Sequence, residues 1–473
     1  MNKFWPIILL AVVLVSCHKD KPEDLKKQFI INDHTVNVTF DESHPGNLIP
    51  STFEGLSFET GILEQDVNFL NANNKVLIQL LKNVGPGLLR MGGATSDFIT
   101  WTGAERNGNT PPNSITKTDV DRLSAFAKVT GWPVLFGLNL ANNDSGLAAS
   151  EAAYVNQSLG NSLYAFQSGN EPDAYGPYTH HRNAGYSFND FLSEWRGYQS
   201  AIQKVLPNAN FAGPDIAFNT YWITAFTDNE SFDVNVKLQD GHYYETGPAT
   251  DPGIDYHSIL RHSFKLDDLL QSFKGSASKN QPLFRVTECN NVYGGGKPGV
   301  SDVFASALWA LDTMWILADN GCQGINFHTG IGLCYSPFIN ENGILKTKPE
   351  YYAMLAFKYG STNGRIVPTK IDEAEYCNAH TSLINGTYSI TLINKNPDKS
   401  FDFNIVRDKN ISSIVVSRLT APSITSIADV TFGGSKVNAD GTFSLSAAEN
   451  YTPNKTSFAI NVPAGSAAVV TLQ

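Results

Sequence analysis

The chain has 473 residues, of which 42% are hydrophobic and 17% are charged, and its formal net charge is −11. This length exceeds what one compact core normally holds and predicts two domains, one of them large. The negative charge argues against a broad nucleic-acid interface and against a strongly anionic polymer as a partner. We therefore expect no nucleic-acid partner, and the sequence leaves the oligomeric state open.

The first 17 residues have the organisation of a secretory signal. A basic start at Lys3 precedes an apolar run over residues 4–15, which is too short to span a bilayer. The run ends in Leu14-Val15-Ser16-Cys17, which resembles the bacterial lipobox, whose cysteine becomes the lipidated first residue. An ordinary secretory signal with an incidental cysteine is the alternative.

These features predict a protein of the bacterial cell envelope, held at the outer membrane by a lipid on Cys17. The lipid anchor is its only expected membrane contact, and the sequence does not decide between the periplasmic and the outer face. Residues 18–30 are charged and contain proline, so we expect a tether between the lipid and the folded domains.

Cysteine and histidine usage argues against a metal site. The four cysteines beyond the lipobox are too few for a disulfide scaffold in a chain of this length. The sequence contains neither a CxxC pair nor a His/Cys cluster with zinc spacing. We therefore predict no metal site.

Eight short apolar runs alternate with stretches whose apolar residues follow helical spacing. The predicted strands are Gly55–Glu59, Leu88–Gly93, Pro133–Leu140, Tyr164–Glu171, Asn210–Ile216, Val236–Tyr244, Leu283–Asn290 and Gly324–Thr329. The predicted helices are Val76–Asn83, Thr118–Thr130, Ala148–Leu159, Phe188–Val205, Ser258–Phe273 and Val303–Asn320. Thr118 is expected to cap the second helix, because acidic residues follow it in the first turn.

This alternation is the signature of a (β/α)8 TIM barrel of the α/β class, predicted over residues 31–360. A doubly wound open sheet is the alternative, but the glycine-rich loop that such a fold usually carries after its first strand is missing here. Residues 361–473 instead show short runs rich in Val, Ile and Thr, separated by turns such as Asn385-Gly386. They predict a C-terminal antiparallel β-sandwich, to which the segment 31–50 is a candidate to add a strand.

Two predicted strands end abruptly in a carboxylate. Glu171 closes the fourth strand, directly after Asn170, and Glu288 closes the seventh. Barrel enzymes carry catalytic groups at these C-terminal ends, where an unpaired charge is otherwise unfavourable. Two facing carboxylates are what glycoside hydrolysis requires, one as general acid/base and one as nucleophile. The alternative for each is a buried acid paired with an arginine, such as Arg90 or Arg285.

The order of these motifs resembles a known group of enzymes. Asn-Glu after the fourth strand with Glu after the seventh is the pattern of clan A of the glycoside hydrolases. Further segments are similar to glycoside hydrolase family 79, which contains heparanase and β-glucuronidases. Those segments are Leu89–Gly93 with Ser96–Phe98, His242–Tyr244 with Gly247, and Tyr293–Gly296 with Leu308–Asp312. The resemblance spans residues 50–360 and implies a barrel with an added sandwich and a retaining mechanism without a cofactor.

The resemblance also implies roles for individual residues. Glu171 is implied as acid/base and Glu288 as nucleophile. The residues implied for substrate binding are Asn170, His242, Tyr243, Tyr293, Gly294, Gly295 and Tyr335. The two glycines would offer backbone amides to a uronate carboxylate, since a residue without Cβ lets an anion approach closely. A flexible turn is the alternative for these glycines. Glu59, which ends the first strand, is a candidate ligand of a sugar hydroxyl or else a paired core acid.

We therefore expect a retaining β-glycosidase that removes β-linked glucuronic acid, or a related uronate, from a glycan. Ala94, Cys289 and Asn290 differ from heparanase, and the acidic chain lacks the basic clusters that sulfated heparan would need. An uncharged or weakly charged glycan with a terminal uronic acid fits better. The alternatives are a β-glycosidase of the same fold for glucose, xylose or galactose, and a non-catalytic glycan-binding lipoprotein.

Overall fold

The computed structural model describes residues 34–472 except positions 177, 279, 331, 342–343, 373–375 and 454. The predicted signal peptide, Cys17 and the tether 18–30 lie outside the described residues. Among the helices within them, none is long and apolar enough to cross a bilayer.

The described residues form 23 strands. In chain order they are β1 (Thr35–Phe40), β2 (Glu54–Glu59), β3 (Leu88–Gly92), β4 (Thr100–Trp101), β5 (Ser114–Ile115), β6 (Val134–Leu138), β7 (Leu163–Ser168), β8 (Phe211–Ile216), β9 (Val236–Thr246), β10 (Leu283–Val292), β11 (Ile325–Thr329), β12 (Phe338–Glu341), β13 (Ile344–Thr347), β14 (Arg365–Val367), β15 (Thr369–Ile371), β16 (Cys377–Ile384), β17 (Thr387–Asn394), β18 (Phe401–Ile411), β19 (Ile414–Thr420), β20 (Thr431–Phe432), β21 (Glu449–Tyr451), β22 (Lys455–Val462) and β23 (Ser466–Leu472).

The same residues form nine α-helices and four short 3₁₀ turns. The helices are α1 (Ile62–Gln65), α2 (Lys75–Val84), α3 (Lys117–Thr130), α4 (Ser145–Leu159), α5 (Phe188–Val205), α6 (Tyr221–Glu230), α7 (Phe264–Lys274), α8 (Phe304–Asp319) and α9 (Pro349–Ser361). The 3₁₀ turns are Ala94–Asp97, Gly160–Ser162, Pro172–Ala174 and Tyr256–Ile259.

Eight parallel strands close into a barrel in the order β10-β11-β2-β3-β6-β7-β8-β9. The predicted (β/α)8 barrel is therefore confirmed. The doubly wound alternative is wrong, because β11 pairs with β2 along its whole length and the sheet has no open edge. Parallel strands of one barrel place all their C-terminal ends at the same face, so this topology brings the predicted catalytic strand ends together.

The barrel interior contains both an apolar cluster and a buried arginine. Small and branched side chains from five neighbouring strands form one buried cluster, which consists of Leu88, Leu135, Ala165, Ala212 and Leu238. Arg285 is buried towards the N-terminal ends of the strands, where it donates to the Asn326 side chain and to the carbonyl oxygens of Thr52 and Phe53. Burial lowers the pKa of Arg285 to about 10. This arginine therefore serves the barrel structure.

The helix predictions need three corrections. Helix α3 starts at Lys117, because Thr116 and not Thr118 caps it: the Thr116 and Asp119 side chains each accept a hydrogen bond from the other residue's backbone N–H. The predicted helix Ser258–Phe273 is interrupted, since a 3₁₀ turn ends at Ile259 and α7 starts only after the Ser263 cap. Helices α1, α6 and α9 were not predicted.

The C-terminal strands form two stacked sheets, and β1 belongs to one of them. One sheet has the order β14-β16-β17-β23-β19-β20 with β21 beside β19, and the other has the order β15-β1-β18-β22. Side chains from both sheets share one apolar core. The strands pair antiparallel except β1 and β18, which run parallel. The Asn385-Gly386 turn joins β16 to β17 with φ of 50° and 84°, which suits a tight hairpin.

A buried polar cluster joins the barrel helix α8 to the sandwich. The Asp312 carboxylate accepts hydrogen bonds from Lys395 Nζ at 2.5 Å and from Asn378 Nδ2 at 2.7 Å. The His380 ring lies between Asp312, at 3.4 Å, and Asp319, at 2.7 Å. Burial alone would raise the pKa of Asp312, but the charge of Lys395 and the His380 hydrogen bond hold it well below its usual range. The contact between the two domains thus depends on a charged aspartate.

We predict that Asp312→Asn lowers the free energy of unfolding by about 3 kcal/mol, because Lys395 would keep its buried charge without a compensating partner. Urea denaturation of the purified protein measures this change. Asp429→Asn is the matched control, since Asp429 and Lys436 form an exposed pair and its loss should cost less than about 0.5 kcal/mol. Equal effects of the two variants would contradict the structural role of the Asp312 cluster.

Candidate active site

Glu171 and Glu288 meet at the C-terminal face of the barrel. One carboxylate oxygen of each and one ring nitrogen of His242 all lie within 4.8 Å of one another. The structure therefore brings together the two acids that the sequence singled out from different strands. Their separation is below the ~6.5–9.5 Å that leaves room for a water molecule between two carboxyl groups and a sugar.

The backbone turns sharply at Glu171. This residue follows β7 by three positions and has a left-handed φ of 53°, which costs a residue with a side chain about 1–2 kcal/mol. Two features hold it there: its N–H donates to the Asp215 carbonyl at 2.9 Å, and Pro172 starts a 3₁₀ turn directly after it. The Glu171 carboxylate then reaches His242 Nδ1 at 2.9 Å, and the side chain remains 30% exposed.

A bulge in β10 directs Glu288 into the barrel mouth. The register between β10 and β9 shifts between Val286 and Glu288, so Thr287 is an extra residue in the strand. As a result two consecutive side chains reach the interior: Thr287 Oγ1 donates to Asp215 at 3.0 Å, and the Glu288 carboxylate accepts from Tyr244 Oη at 2.8 Å.

Arg90, near the C-terminal end of β3, is completely buried and connects these groups. Its guanidinium donates to Glu288 at 2.7 Å and to Asp215 at 2.5 Å. Its further hydrogen bonds go to the side chains of Ser57 at 3.0 Å, Gln167 at 2.9 Å and Asn170 at 2.9 Å. Glu288 is therefore paired with Arg90, as the alternative interpretation from the sequence expected. The same hydrogen bond also fixes the Glu288 carboxylate in the site.

His242 bridges the acids. Its Nε2 lies 3.0 Å from Asp215, its Nδ1 lies 2.9 Å from Glu171, and the same Nδ1 lies 3.9 Å from Glu288. Burial opposes a charge on the ring, but the negative charges of Asp215 and Glu288 raise the pKa of His242 well above its ordinary value. This arrangement favours the imidazolium form at the centre of three carboxyl groups.

The two central acids have opposite pKa directions. Burial raises the pKa of Glu171, and the nearby charge of Glu288 adds to this effect. Burial would also raise the pKa of Glu288, but the positive charges of His328, His242 and Arg90 outweigh it and hold the pKa far below its usual range. The site therefore favours a protonated Glu171 beside an ionised Glu288, which is the division of roles that an acid and a nucleophile need.

Polar and aromatic groups surround Glu288 on the side of β10 and β11. His328, on β11, lies 3.4 Å from Glu288 and 3.5 Å from Glu59. Glu59 also accepts hydrogen bonds from the Thr95 backbone at 2.7 Å and hydroxyl at 2.6 Å. The Tyr335 ring centroid lies 6.1 Å from that of His328. Glu59 is thus both paired and part of the site.

The loop after β10 has three successive glycines with left-handed backbone. Gly294, Gly295 and Gly296 have φ of 85°, 93° and 83°, so side chains would be strained there. The Gly295 carbonyl accepts a hydrogen bond from the Cys334 N–H at 2.6 Å, which ties this loop to the one that carries Tyr335. Tyr293 precedes the glycines and packs edge-on against Tyr244 at 6.3 Å. The glycines therefore form a defined turn beside the nucleophile.

Tyr243 does not lie beside the nucleophile, so its predicted position is wrong. Successive side chains of a strand point to opposite faces, and along β9 His242 and Tyr244 reach the barrel mouth. Tyr243 points outward, stacks on Trp309 of α8 at 6.4 Å and donates to Ser263 at 2.7 Å. Tyr244 takes the place that the sequence assigned to Tyr243.

Four groups in the site were not predicted from the sequence. Tyr244 follows two residues that were already candidates, whereas His328 lies on the eighth predicted strand, from which no candidate was drawn. Asp215 meets nearly the same criterion as the two glutamates, since it is the penultimate residue of the fifth predicted strand, and it was overlooked. Asp240 supports Asp215 by accepting its N–H at 2.8 Å, and burial raises the pKa of Asp240 to about 8.

Comparison with known proteins adds independent information. The family model "Glycosyl hydrolase family 79 C-terminal beta domain" matches residues 375–469. The chain is 24% identical to a β-glucuronidase of Aspergillus niger over an alignment that covers 92% of each protein. It is 26% identical to the heparanase of Mus musculus, over 52% of this chain and 46% of that protein.

A similar fold occurs in solved structures. A 4-O-α-L-rhamnosyl-β-D-glucuronidase from Fusarium oxysporum 12S superimposes with a TM-score of 0.75 and 20% identity, covering 92% of this chain and all of that one. An α-L-arabinofuranosidase from Thermotoga maritima superimposes with a TM-score of 0.71 and 14% identity, over 92% of this chain and 99% of that one. These matches support the barrel with its added sandwich.

We predict that Arg90→Lys lowers the free energy of unfolding by about 3 kcal/mol although the charge is conserved. A lysine has three donors at one point, so at least two of the five hydrogen bonds made by Arg90 are lost, at about 1–3 kcal/mol each for buried and charged partners. Urea denaturation measures the change, and the exposed Arg365→Lys serves as control. A loss below about 0.5 kcal/mol would contradict the central role given to this guanidinium.

Proposed function

We propose that the chain is a member of glycoside hydrolase family 79 and a retaining β-glucuronidase that releases β-linked glucuronic acid from a glycan. The observation that carries this proposal is the approach of the Glu171 and Glu288 carboxylates to within 4.8 Å. That spacing suits direct attack by one carboxylate on the sugar. The names of the Aspergillus niger relative and of the Fusarium oxysporum structure support glucuronic acid as the glycone.

In the first step Glu288 attacks the anomeric carbon while Glu171 transfers its proton to the leaving oxygen. The bond between the anomeric carbon and that oxygen breaks, and a covalent ester forms between the sugar and Glu288. Arg90 and Tyr244 hold the Glu288 carboxylate by hydrogen bonds of 2.7 and 2.8 Å. His242 holds Glu171 at 2.9 Å. Both acids are thus held in position before the substrate binds.

In the second step Glu171 acts as a base. Its carboxylate takes a proton from water, the water oxygen bonds to the anomeric carbon, and Glu288 leaves as a carboxylate. The charge of Glu288 is one cause of the raised pKa of Glu171. Because the ester has no charge, its formation lowers the pKa of Glu171, which suits the change from acid to base.

The glycine turn beside Glu288 supports a uronate over a neutral sugar. Gly294 and Gly295 have left-handed φ and no side chain, which lets an anion approach their backbone N–H groups closely. The Tyr335 hydroxyl offers a further donor in the adjoining loop. We assign the glucuronate carboxylate to the amides of Gly294 and Gly295 and to Tyr335, and the 2-hydroxyl to Asn170.

The proposed reaction needs no metal. Glu171, His242 and Glu288 have the spacing of a cation site, but the same three groups are the acid, its partner and the nucleophile. The positive charges beside Glu288 come from Arg90, at 2.7 Å, and from the two histidines near it. Proton transfer and covalent attack by the carboxylates complete the chemistry.

We predict that Glu288→Gln removes measurable turnover of aryl β-glucuronides, because an amide cannot form the glycosyl ester. Glu171→Gln should slow substrates with poor leaving groups by about 10²–10⁴-fold, the usual contribution of general acid catalysis. Steady-state kinetics measure both changes. Glu151→Gln is the matched control, since Glu151 is also buried with a pKa raised to about 8 but lies on α4, away from the site. Near-normal turnover in Glu288→Gln would contradict the assignment.

The glycone is tested on 4-nitrophenyl β-D-glucuronide beside the matching glucoside, xyloside and galactoside. We expect kcat/KM to favour the glucuronide by at least about 10²-fold, because hydrogen bonds to a charged carboxylate contribute about 1.5–3 kcal/mol each. Preferential hydrolysis of a neutral glycoside would contradict the assigned glucuronate contacts but would still agree with Glu171 and Glu288 as the catalytic pair. Binding of these sugars without any hydrolysis would favour the non-catalytic alternative.

We also propose that the protein is anchored to the bacterial cell envelope through a lipid on Cys17. The support is the signal-like segment with Leu14-Val15-Ser16-Cys17 at its end. In cells fed a radiolabelled fatty acid, we expect label on the wild-type protein and on Cys334→Ala but not on Cys17→Ala. Label retained by Cys17→Ala would contradict the anchor.

A further inference from the structure

Large aromatic side chains are exposed around the barrel mouth, away from the glycine turn. Phe98, Tyr178 and Phe218 are 61%, 67% and 53% exposed. Phe98 follows the turn after β3, Tyr178 lies between β7 and α5, and Phe218 follows β8. We name these three residues and His181 the aromatic rim. Clustered exposed apolar groups on the loops of a barrel mouth mark a binding surface more often than scattered ones do.

The rim consists of two pairs of rings. Tyr178 and Phe218 are perpendicular, with centroids 5.2 Å apart, and Phe98 and His181 are tilted, with centroids 5.1 Å apart. Each pair joins the loop after β7 to a neighbouring loop. Their exposed fractions show that pairing leaves much of each Phe and Tyr ring free for a ligand.

The rim is rigidly connected to Glu171. Asp173, two residues after Glu171, accepts hydrogen bonds from the backbone N–H groups of Ala217, Phe218 and Asn219 at 2.8, 3.0 and 2.8 Å. The loop that carries the acid is thereby attached to the loop that carries Phe218. The position of Phe218 relative to the Glu171 carboxyl is fixed in this way.

The other end of the same loop is equally held. Arg182 donates to the carbonyl oxygens of Leu140 and Ala141, both at 2.9 Å, and pairs with Glu194 at 3.0 Å. His181 packs edge-on against the buried Tyr175 at 5.1 Å. Because Arg182 is neutralised by Glu194, it adds no free charge to the rim.

The position of the rim assigns it to the leaving group. Glu171 gives its proton to the leaving oxygen, so the departing part of the substrate lies on the side of β7. The proposed glucuronate contacts follow β10 and β11, and β11 lies across the barrel from β7, four strands away in the closed order. Aromatic faces attract the polarised C–H groups that cover one side of a pyranose ring.

We propose that the aromatic rim binds an uncharged pyranose as the leaving group, with Tyr178 and Phe218 as its main contacts. This inference rests on the proposed function and adds the class of bond cleaved: glucuronic acid linked to a neutral sugar. The rim residues are binding residues and do not take part in proton transfer.

The test compares two substrates of the full-length protein. One is a disaccharide of glucuronic acid β-linked to glucose, and the other is methyl β-D-glucuronide, which needs the same protonation by Glu171 but has no ring to bind. We expect the double variant Tyr178→Ala/Phe218→Ala to lose about tenfold in kcat/KM on the disaccharide, mainly through KM, and to keep its kcat/KM on the methyl glycoside. Phe232→Ala, which removes a ring that is 77% exposed between α6 and β9, should leave both unchanged.

Each other outcome overturns the proposal in a distinct way. Unchanged kcat/KM on the disaccharide would show that the rim binds no leaving sugar. Equal losses on both substrates would show that the rim acts by positioning the Glu171 loop. A wild-type protein that hydrolyses neither substrate would contradict the proposed function itself, and the rim assignment would be lost with it.

Discussion

The hydrogen bonds of the Arg90 guanidinium are the interaction on which the site depends. A buried charge is costly unless ion pairs and hydrogen bonds compensate it, and here side chains that follow or belong to β2, β7, β8 and β10 supply them. Because the guanidinium is planar and its donors have fixed directions, it sets the relative positions of these strands at the barrel mouth. Arg90 donates hydrogen bonds to both Asn170 and Glu288, so it fixes the position of the loop that carries Glu171 relative to the nucleophile.

Charge compensation around this arginine also explains the division of labour between the acids. Arg90 and His242 lower the pKa of Asp215 against the effect of its burial. Arg90, His242 and His328 do the same for Glu288. Glu171 accepts no hydrogen bond from Arg90, and burial raises its pKa. Both glutamates lie near His242, but only Glu288 also has Arg90 and His328 beside it, and this difference separates their pKa values.

The sequence predicted the parts of the structure that repeat a regular pattern. The barrel strands are largely apolar runs of five to eleven residues, and two carboxylates stand out against them: Glu171 follows β7 by three positions, and Glu288 lies in the second half of β10. The wrong prediction of Tyr243 in place of Tyr244 has a different cause. Motif resemblance indicates a segment, whereas the direction of each side chain depends on the strand's register, and the adjoining β10 carries a bulge.

Contacts between distant residues could not be predicted from one sequence. Arg90 and Asp215 are 125 positions apart, and nothing in either local sequence indicates the other. His328 is the penultimate residue of the last barrel strand, where it looks like an ordinary polar strand residue until β11 is placed beside β10. Helix α9 was overlooked because its apolar residues surround nearly the whole helix and give weak periodicity.

Three kinds of groups lie in different parts of the barrel mouth, in the order in which the proposed substrate would cross it. Backbone amides and Tyr335 follow β10 and β11, the two acids lie at the centre, and exposed aromatic rings follow β3, β7 and β8. The anionic sugar would contact the backbone amides and Tyr335, and the neutral sugar would contact the aromatic rings. The long loop between β7 and α5 carries both the acid and part of the aromatic surface, so it connects bond cleavage with recognition of the departing sugar.

The most direct measurement is to trap the covalent intermediate with 2-deoxy-2-fluoro-β-D-glucuronyl fluoride. Its 2-fluorine slows both steps, while its good leaving group lets the ester form and accumulate. After proteolysis and mass spectrometry, we expect one fluoroglucuronyl group, attached to Glu288. Attachment to any other residue, or turnover of a β-glucuronide with inversion at the anomeric carbon, would contradict it.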